Sequence, residues 1–261
     1  MIQFDQQSGF VAGTLVHTDK GLIPIDQIKV GDLVLSKNEI GEGELAYKPV
    51  LQTSATENVL VCFARFTPKA LDNLPVFKLR DQSLYADVLV TLKHPFWIVD
   101  KGWMSTDLIK INNTVLLRNQ DIAYCQGGDN GIGIEVIFKT DKLEVGFVPD
   151  FGGEDDSGRF VNLETGSHVS YGSYHPIFKK LYLSNKQWKE QLLEQIPEDG
   201  RDGAEFFGFR QGGWQDPASA TWSDDEGSVT TTVYNFEVAD THNYFVTKQG
   251  ILVHDASTNI S

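Results

Sequence analysis

The feature that most constrains this chain is an internal repeat. Asp19-Lys20-Gly21 returns 81 positions later as Asp100-Lys101-Gly102, Asp26 as Asp107, Ile28-Lys29 as Ile109-Lys110 and Val34-Leu35 as Val115-Leu116. Over the seventeen positions 19–35 that makes eight identities. Gly31-Asp32 falls on Asn112-Asn113, residues that also tolerate a left-handed backbone. Two copies are too few for a solenoid, so the repeat predicts one domain built from two related halves about a pseudo-twofold axis. Each copy reads as strand, turn, strand, a single helical turn, a break at Gly31-Asp32 or its counterpart, and a further strand. The register also sets Gly13 opposite His94, so a strand over Thr91–Phe96 is expected to lie near the start of the chain.

The C-terminal end has the same β texture. An apolar alternating run from Tyr234 to Val246 and a second from Gly250 to Val253 flank a short polar break, which predicts paired strands. The second run delivers His254 and Asp255 at its tip, and residues 256–261 follow as a stub. Between the repeat and this end the texture changes. Gly127–Gly133 is glycine-rich, and 150–158, 198–205 and 224–227 are acidic turns. Residues 185–196 read as an amphipathic helix with Trp188, Leu192 and Ile196 on one face, stopped by Pro197. The expected organisation is therefore 1–121 and 228–255 as two parts of one domain, 122–227 as a mixed, less regular insertion, and 256–261 as the stub of a downstream segment.

Composition narrows the function classes. The chain has 261 residues, 41% of them hydrophobic, and a formal net charge of −14. An acidic surface repels phosphate backbones and anionic membranes, so neither nucleic acid nor a membrane is an expected partner. No apolar run approaches the ~20 residues of a membrane span. Residues 1–8 lack the basic and apolar regions of a signal peptide, so any export is expected to use a signal outside this chain. Cys62 and Cys125 have no metal-ligand spacing and no disulfide framework and read as buried apolar residues. The histidines lack ligand spacing as well, which disfavours a metal-dependent hydrolase; no cofactor is expected. Asp150, Glu154, Asp155 and Asp156 do not match a calcium loop.

Five stretches, in order, carry a family resemblance: Phe10-Val11-Ala12-Gly13-Thr14; Pro24-Ile25 through Gly31-Asp32; Thr91-Leu92-Lys93-His94-Pro95-Phe96; Tyr234 to Val246; and Val253-His254-Asp255. Together they resemble the successive blocks of a Hint domain, the fold of inteins, bacterial intein-like domains and the Hedgehog autoprocessing domain. The nearest flavour is the pretoxin Hint of bacterial polymorphic toxins, in which the segment after the histidine is released cargo. The resemblance implies an all-β, horseshoe-like fold covering roughly 1–120 and 228–255, and a place in a larger bacterial secreted or delivered protein. In the family a cysteine at the start of the first block attacks the preceding carbonyl. Thr91 and His94 resemble the pair that polarises that carbonyl and protonates the leaving nitrogen. His254 resembles the residue that assists cyclisation of a terminal asparagine, and His242 one that supports it. Histidine suits proton transfer near neutral pH because its unperturbed pKa is about 6.5.

The chain departs from that pattern at both ends. Gly9 stands where the cysteine nucleophile is expected, so no acyl shift can start there. Ser8 is a poor substitute, because a shift of one residue turns a strand side chain to the other face. Asp255 stands at the asparagine position, and Ala256 where splicing inteins carry Cys, Ser or Thr. Asn235 replaces a frequent aspartate, a change expected to weaken the upstream step. His17, His168 and His175 have no block context and read as structural; Phe96, Trp97 and Trp103 read as core or rim aromatics. The resulting expectation is self-cleavage after Asp255 that frees downstream cargo, impaired here, with the chain's own flanking polypeptide as substrate. The alternative is a catalytically dead scaffold whose insertion binds a partner such as an immunity or delivery protein.

Overall fold

The computed structural model describes residues 8–38, 43–75, 78–79, 82–126, 133–139, 145–149, 158–172, 180–183 and 229–257. The expected helix at 185–196, the acidic turns at 150–157, 198–205 and 224–227, and His175 lie outside them.

The described chain is all-β. Its strands are β1 Phe10–Val11, β2 Leu15–Thr18, β3 Gly21–Pro24, β4 Leu33–Ser36, β5 Ala46–Pro68, β6 Ala86–Thr91, β7 Pro95–Ile98, β8 Gly102–Ser105, β9 Thr114–Leu116, β10 Ile122–Gln126, β11 Glu135–Val136, β12 Phe138–Lys139, β13 Gly146–Pro149, β14 Gly158–Val161, β15 His168–Gly172, β16 Lys180–Leu183, β17 Thr230–Val238, β18 Asn243–Val246 and β19 Ile251–His254. Fourteen of them form one sheet in the order β10-β9-β7-β19-β18-β2-β4-β5-β17-β1-β6, with β3, β8 and β11 attached at its sides. The 23-residue β5 is the hub. It pairs with β4 and β17 along its first half and with β6 and β10 along its second, so the sheet curls back on itself. The main core, around Phe10, Phe66, Phe96, Phe236 and Tyr244, fills the inside of that curl.

The repeat is visible strand by strand. β3 and β8, the single 3-10 turns Ile25–Gln27 and Thr106–Leu108, and the strands β4 and β9 occupy equivalent places at the 81-residue offset. So do the turn bonds. Asp32 N–H donates to Lys29 O and Asn113 N–H to Lys110 O, while the Asp32 and Asn113 side chains accept from Lys29 and Lys110 N–H. Asn112 has φ 64°, matching Gly31 at 89°. One difference separates the copies. The first hairpin closes from Thr18 to Gly21, the second from Ile98 to Gly102, one residue looser.

The expected single strand over Thr91–Phe96 is interrupted. Thr91 ends β6, His94 N–H turns back to Thr91 O at 3.3 Å, and Pro95 begins β7. A proline cannot donate to a ladder and favours an extended residue before it, so the chain breaks at this point. The C-terminal pair forms as read: β18 and β19 are a hairpin with Val246 opposite Ile251. The preceding run splits, because the chain turns at Asp240 and His242, both at positive φ, and separates β17 from β18.

Within the segment 122–227, β10 and β11 belong to the large sheet and β12–β16 form a five-stranded antiparallel meander. This described part is more regular than its glycine and acidic texture suggests. Val148 and Val161 of the meander pack with Val11, Phe63 and Leu89. The turn before β15 presses on the chain just after β1. A β-carbon at Gly13, where φ is +77°, would lie 1.8 Å from Thr165 O, so only glycine fits there. A buried ion pair joins the two sheets. Asp87 of β6 accepts from Arg65 at 2.6 Å and lies 2.8 Å from His168 Nε2 of β15. Burial alone would raise the Asp87 pKa, but the Arg65 and His168 charges win and hold it far below the usual carboxylate range.

Candidate active site

Strand β17 carries the site. Phe10 of β1 is opposite Tyr234, and β5 lies on the other side with Ala55 opposite Tyr234. Register shifts between Thr231 and Val233 and between Glu237 and Val238 bracket the stretch 233–237. That stretch touches both ends of the domain.

At the upstream end, the Ser8–Gly9 peptide bond is gripped from both sides. Gly9 N–H donates to Thr91 Oγ1 at 3.1 Å, and Thr91 N–H donates to Gly9 O at 3.0 Å. The Ser8 carbonyl accepts from Asn235 Nδ2 at 3.2 Å. The orientation of that amide is fixed, because its Oδ1 accepts from Phe236 N–H, a donor only, and from Tyr244 Oη, each at 2.9 Å. Tyr244 is buried, and burial, with the Asp255 charge adding to it, raises its hydroxyl pKa well above normal, so it stays a donor. The Asn235 that the sequence marks as a weakening is thus the donor on this carbonyl; an ionised aspartate has no proton to offer it. Ser8 Oγ lies 3.3 Å from the same Nδ2.

His94 is fully buried against Phe10, the residue after Gly9, with the two ring centroids 4.2 Å apart in an edge-to-face arrangement. Neither ring nitrogen has a hydrogen-bond partner among the described residues. Burial drives its pKa well below the ordinary histidine value, and the nearby His254 pushes the same way. The Thr91–His94 turn explains the placement: Thr91 ends a strand facing Gly9, and three residues later the chain has reversed, bringing His94 back over the core.

Gly9 itself has no room for a side chain. A β-carbon there would lie 2.6 Å from the Tyr234 carbonyl oxygen, a backbone atom that cannot swing away. The position is closed to a nucleophile as well as lacking one.

At the downstream end, Ala256 N–H donates to Phe236 O at 2.9 Å, one residue along β17 from the Asn235 that holds Ser8. Head and tail therefore lie side by side. The Asp255 carboxylate is buried and saturated with donors. Val238 N–H reaches Oδ2 at 2.7 Å, while Ser257 N–H at 2.8 Å and Ser257 Oγ at 2.5 Å reach Oδ1. Two imidazoles flank it: His242 Nδ1 is 3.4 Å from Oδ2, within ion-pair range though outside hydrogen-bond geometry, and His254 Nδ1 is 3.5 Å from Oδ1. His254 Nδ1 also lies 3.2 Å from the Asp255 carbonyl oxygen, placed to polarise the bond to Ala256 in the tautomer that protonates this nitrogen. His254 is fully buried against Trp103, whereas the His242 side chain is about 37% exposed.

All six positions read from sequence thus gather along β17: Gly9, Thr91 and His94 upstream, His242, His254 and Asp255 downstream. Sequence reasoning missed Tyr244 and Ser257. Tyr244 sits in an alternating strand, where nothing local separates a core tyrosine from one aimed at an amide. Ser257 lies in what reads as a stub. Cys62 and Cys125 are buried and unpaired, and burial raises both thiol pKa values. Among the described residues, no three His, Cys, Asp or Glu side chains gather in a way that could hold a metal ion, and no helix is long and apolar enough to cross a membrane.

No protein-family model matches the chain, and no curated protein matches it. Among solved structures it is similar to a bacterial intein-like domain from Clostridium thermocellum, with 19% identity, TM-score 0.45, and coverage of 95% of this chain and 98% of that one. It is also similar to the gp41-1 intein, at 12% identity and TM-score 0.42, and to a DnaB intein from Synechocystis sp. PCC 6803, at 12% identity and TM-score 0.43. Each of these two alignments covers 95% of this chain and 98% of the other.

Proposed function

We propose that this chain is a Hint-type autoprocessing domain whose remaining chemistry is at its downstream junction, where it cuts after Asp255 and frees the segment that follows, a toxin-like cargo. One observation carries the reading: the two junction peptide bonds are hydrogen-bonded to consecutive residues of one strand, Asn235 and Phe236. A domain that only displayed its ends would have no reason to hold both bonds beside buried imidazoles. Upstream, the bond is polarised but has no nucleophile. Downstream, His254 addresses the carbonyl that must be attacked. Asp255 as written is a weak nucleophile, because three hydrogen bonds disperse its charge. Asparagine at this position would attack its own main-chain carbonyl through its amide nitrogen. The bond to Ala256 would break, the leaving nitrogen would take a proton, and a C-terminal succinimide would remain.

The test is mass spectrometry of the purified chain and of an Asp255→Asn variant over time. The expected result is loss of the 256–261 mass in the variant at a rate far above that of the parent. An intact variant, with unchanged circular dichroism, overturns the reading.

A second reading is favoured by the crowding at Gly9 and the saturation of Asp255. On that view the chain is a scaffold, and its described meander, docked on β1, is the partner-binding part. It predicts no cut in either protein.

A further inference from the structure

The turn that carries His242 is held by one buried side chain. Asn243 is fully buried, and its amide uses both of its N–H groups and both lone pairs of its oxygen. Nδ2 donates to Thr241 O at 2.6 Å and to Lys37 O at 2.8 Å, while Oδ1 accepts from Lys37 N–H and from Ser36 Oγ, each at 2.9 Å. Lys37 N–H can only donate, which fixes the orientation of the amide. Asn243 thus meets both backbone groups of Lys37 as a neighbouring strand would, and fastens the β17–β18 turn to the end of β4. The Thr241 hydroxyl adds a second tie, 2.5 Å from Ser36 Oγ. The bond to Thr241 O sets a direction. It holds the peptide plane before His242, and Asp255 N–H holds the plane after it through His242 O at 3.0 Å. With both planes held, His242 stays at φ 51°, a left-handed backbone uncommon outside glycine. Its Nδ1 then stands 3.4 Å from Asp255 Oδ2.

We infer that Asn243 is the positioning residue of the downstream junction, aiming the His242 imidazole at the side chain of residue 255. This deepens the processing reading above and rests on it for its effect on cutting. Without the amide, the Thr241–His242 peptide is free to rotate, and His242 relaxes to a right-handed or extended backbone. Its Cβ then points elsewhere, and a side chain already 37% exposed swings into water. Asn243 also lies opposite His254 in the β18–β19 hairpin, but that pairing runs through the backbone and survives a change of side chain. The effect therefore falls on His242 and spares His254. In an Asp255→Asn chain the same imidazole faces the attacking carboxamide, where a misplaced ring costs rate.

Two readouts separate this role from packing. The first needs no cutting: a nuclear Overhauser contact between the His242 ring and the Asp255 side chain, measured in the parent chain, Ser36→Ala, Asn243→Asp and Asn243→Ala. The contact is expected in the parent and in Ser36→Ala, which keeps the bond to Thr241 O, and is lost in the other two. Asn243→Asp keeps the shape but has no N–H for Thr241 O, so it carries the test if Asn243→Ala does not fold. The second readout is the rate of cutting after residue 255 in an Asp255→Asn background. Asn243→Ala is expected to slow it about tenfold, less than a misplacement on the order of 1 Å can cost. It should slow it no further once His242→Ala is also present. A ring contact that is absent from the parent, or that survives loss of the amide, overturns the inference. So does a slowing that is absent, or that multiplies with the slowing from His242→Ala; the processing reading then stands. If Asp255→Asn is not cut while the ring contact behaves as expected, the processing reading falls and the positioning of His242 stands.

Discussion

The two ends of this domain share a strand and differ in how each is held. Upstream, the Ser8–Gly9 peptide bond has polar partners on both sides. The carbonyl has a donor in Asn235, the nitrogen has an acceptor in Thr91, and the buried His94, its pKa lowered by burial, packs on the following residue, Phe10. The attacking group is missing, and the space for it is closed by the Tyr234 carbonyl. Downstream, a side chain remains at the attacking position, but three donors hold it as a hydrogen-bond acceptor. The contrast teaches that activation and attack are separable.

The largest expected effect tests the downstream half. In an Asp255→Asn background, His254→Ala should slow cutting after residue 255 by about a hundredfold, the scale of one proton-transferring group. A time course by mass spectrometry measures it. A rate unchanged within twofold would mean that the 3.2 Å approach to the carbonyl is only packing.

The next effect tests the closure upstream. Gly9→Ala and Gly9→Cys should each cost about 1–3 kcal/mol, the scale of overpacking, because both introduce the same β-carbon. Urea unfolding midpoints decide it. If both variants keep the parent midpoint, β1 yields, and the upstream junction can host a nucleophile after all.

The smallest effect concerns protons. His94 and His17 are both held below the ordinary value of 6.5, chiefly by burial. The unfolded chain takes up protons on them below about pH 6.5, and the folded chain resists doing so. Stability should therefore be level above that pH and fall below it, by at most about 1.4 kcal/mol per pH unit for each histidine. Unfolding curves across this range, with a His94→Gln variant showing a shallower fall, sharpen the assignment of a neutral imidazole to the upstream bond. A parent curve that stays level through the same range would remove it.

What the sequence made legible was mostly local. The turn at Gly31-Asp32 and its copy at Asn112-Asn113 is written in residues that accept a positive φ and cap their own loop, so the repeat and its elements could be read directly. Thr91 and His94 were readable through their order among the other blocks. The looser second hairpin was not, because one extra turn residue leaves no compositional mark. The long-range features were also hidden. Which strand Gly9 would crowd and which amide would meet the Ser8 carbonyl depend on partners more than 200 residues apart, and the hydroxyl that orients that amide comes from the next strand, which is not paired with β17. Asn235 departs from the family pattern in sequence, but the effect of its amide depends on what its nitrogen faces, which only the fold reveals. The meander was concealed because its strands are short and lie among glycine-rich connections.

The two register shifts between β17 and β5 enclose the segment that hydrogen-bonds both Ser8 and Ala256. Burial of one face already opposes a one-residue slip of a strand, and an irregularity in the ladder adds a second anchor. Here β5 carries an extra residue opposite each end of 233–237, and each acts as a stop, so the segment cannot creep either way along β5 without undoing a kink. Alignment at one terminus is therefore inherited by the other. A lesion that releases either stop should misplace the Ser8–Gly9 and Asp255–Ala256 bonds together, never one alone.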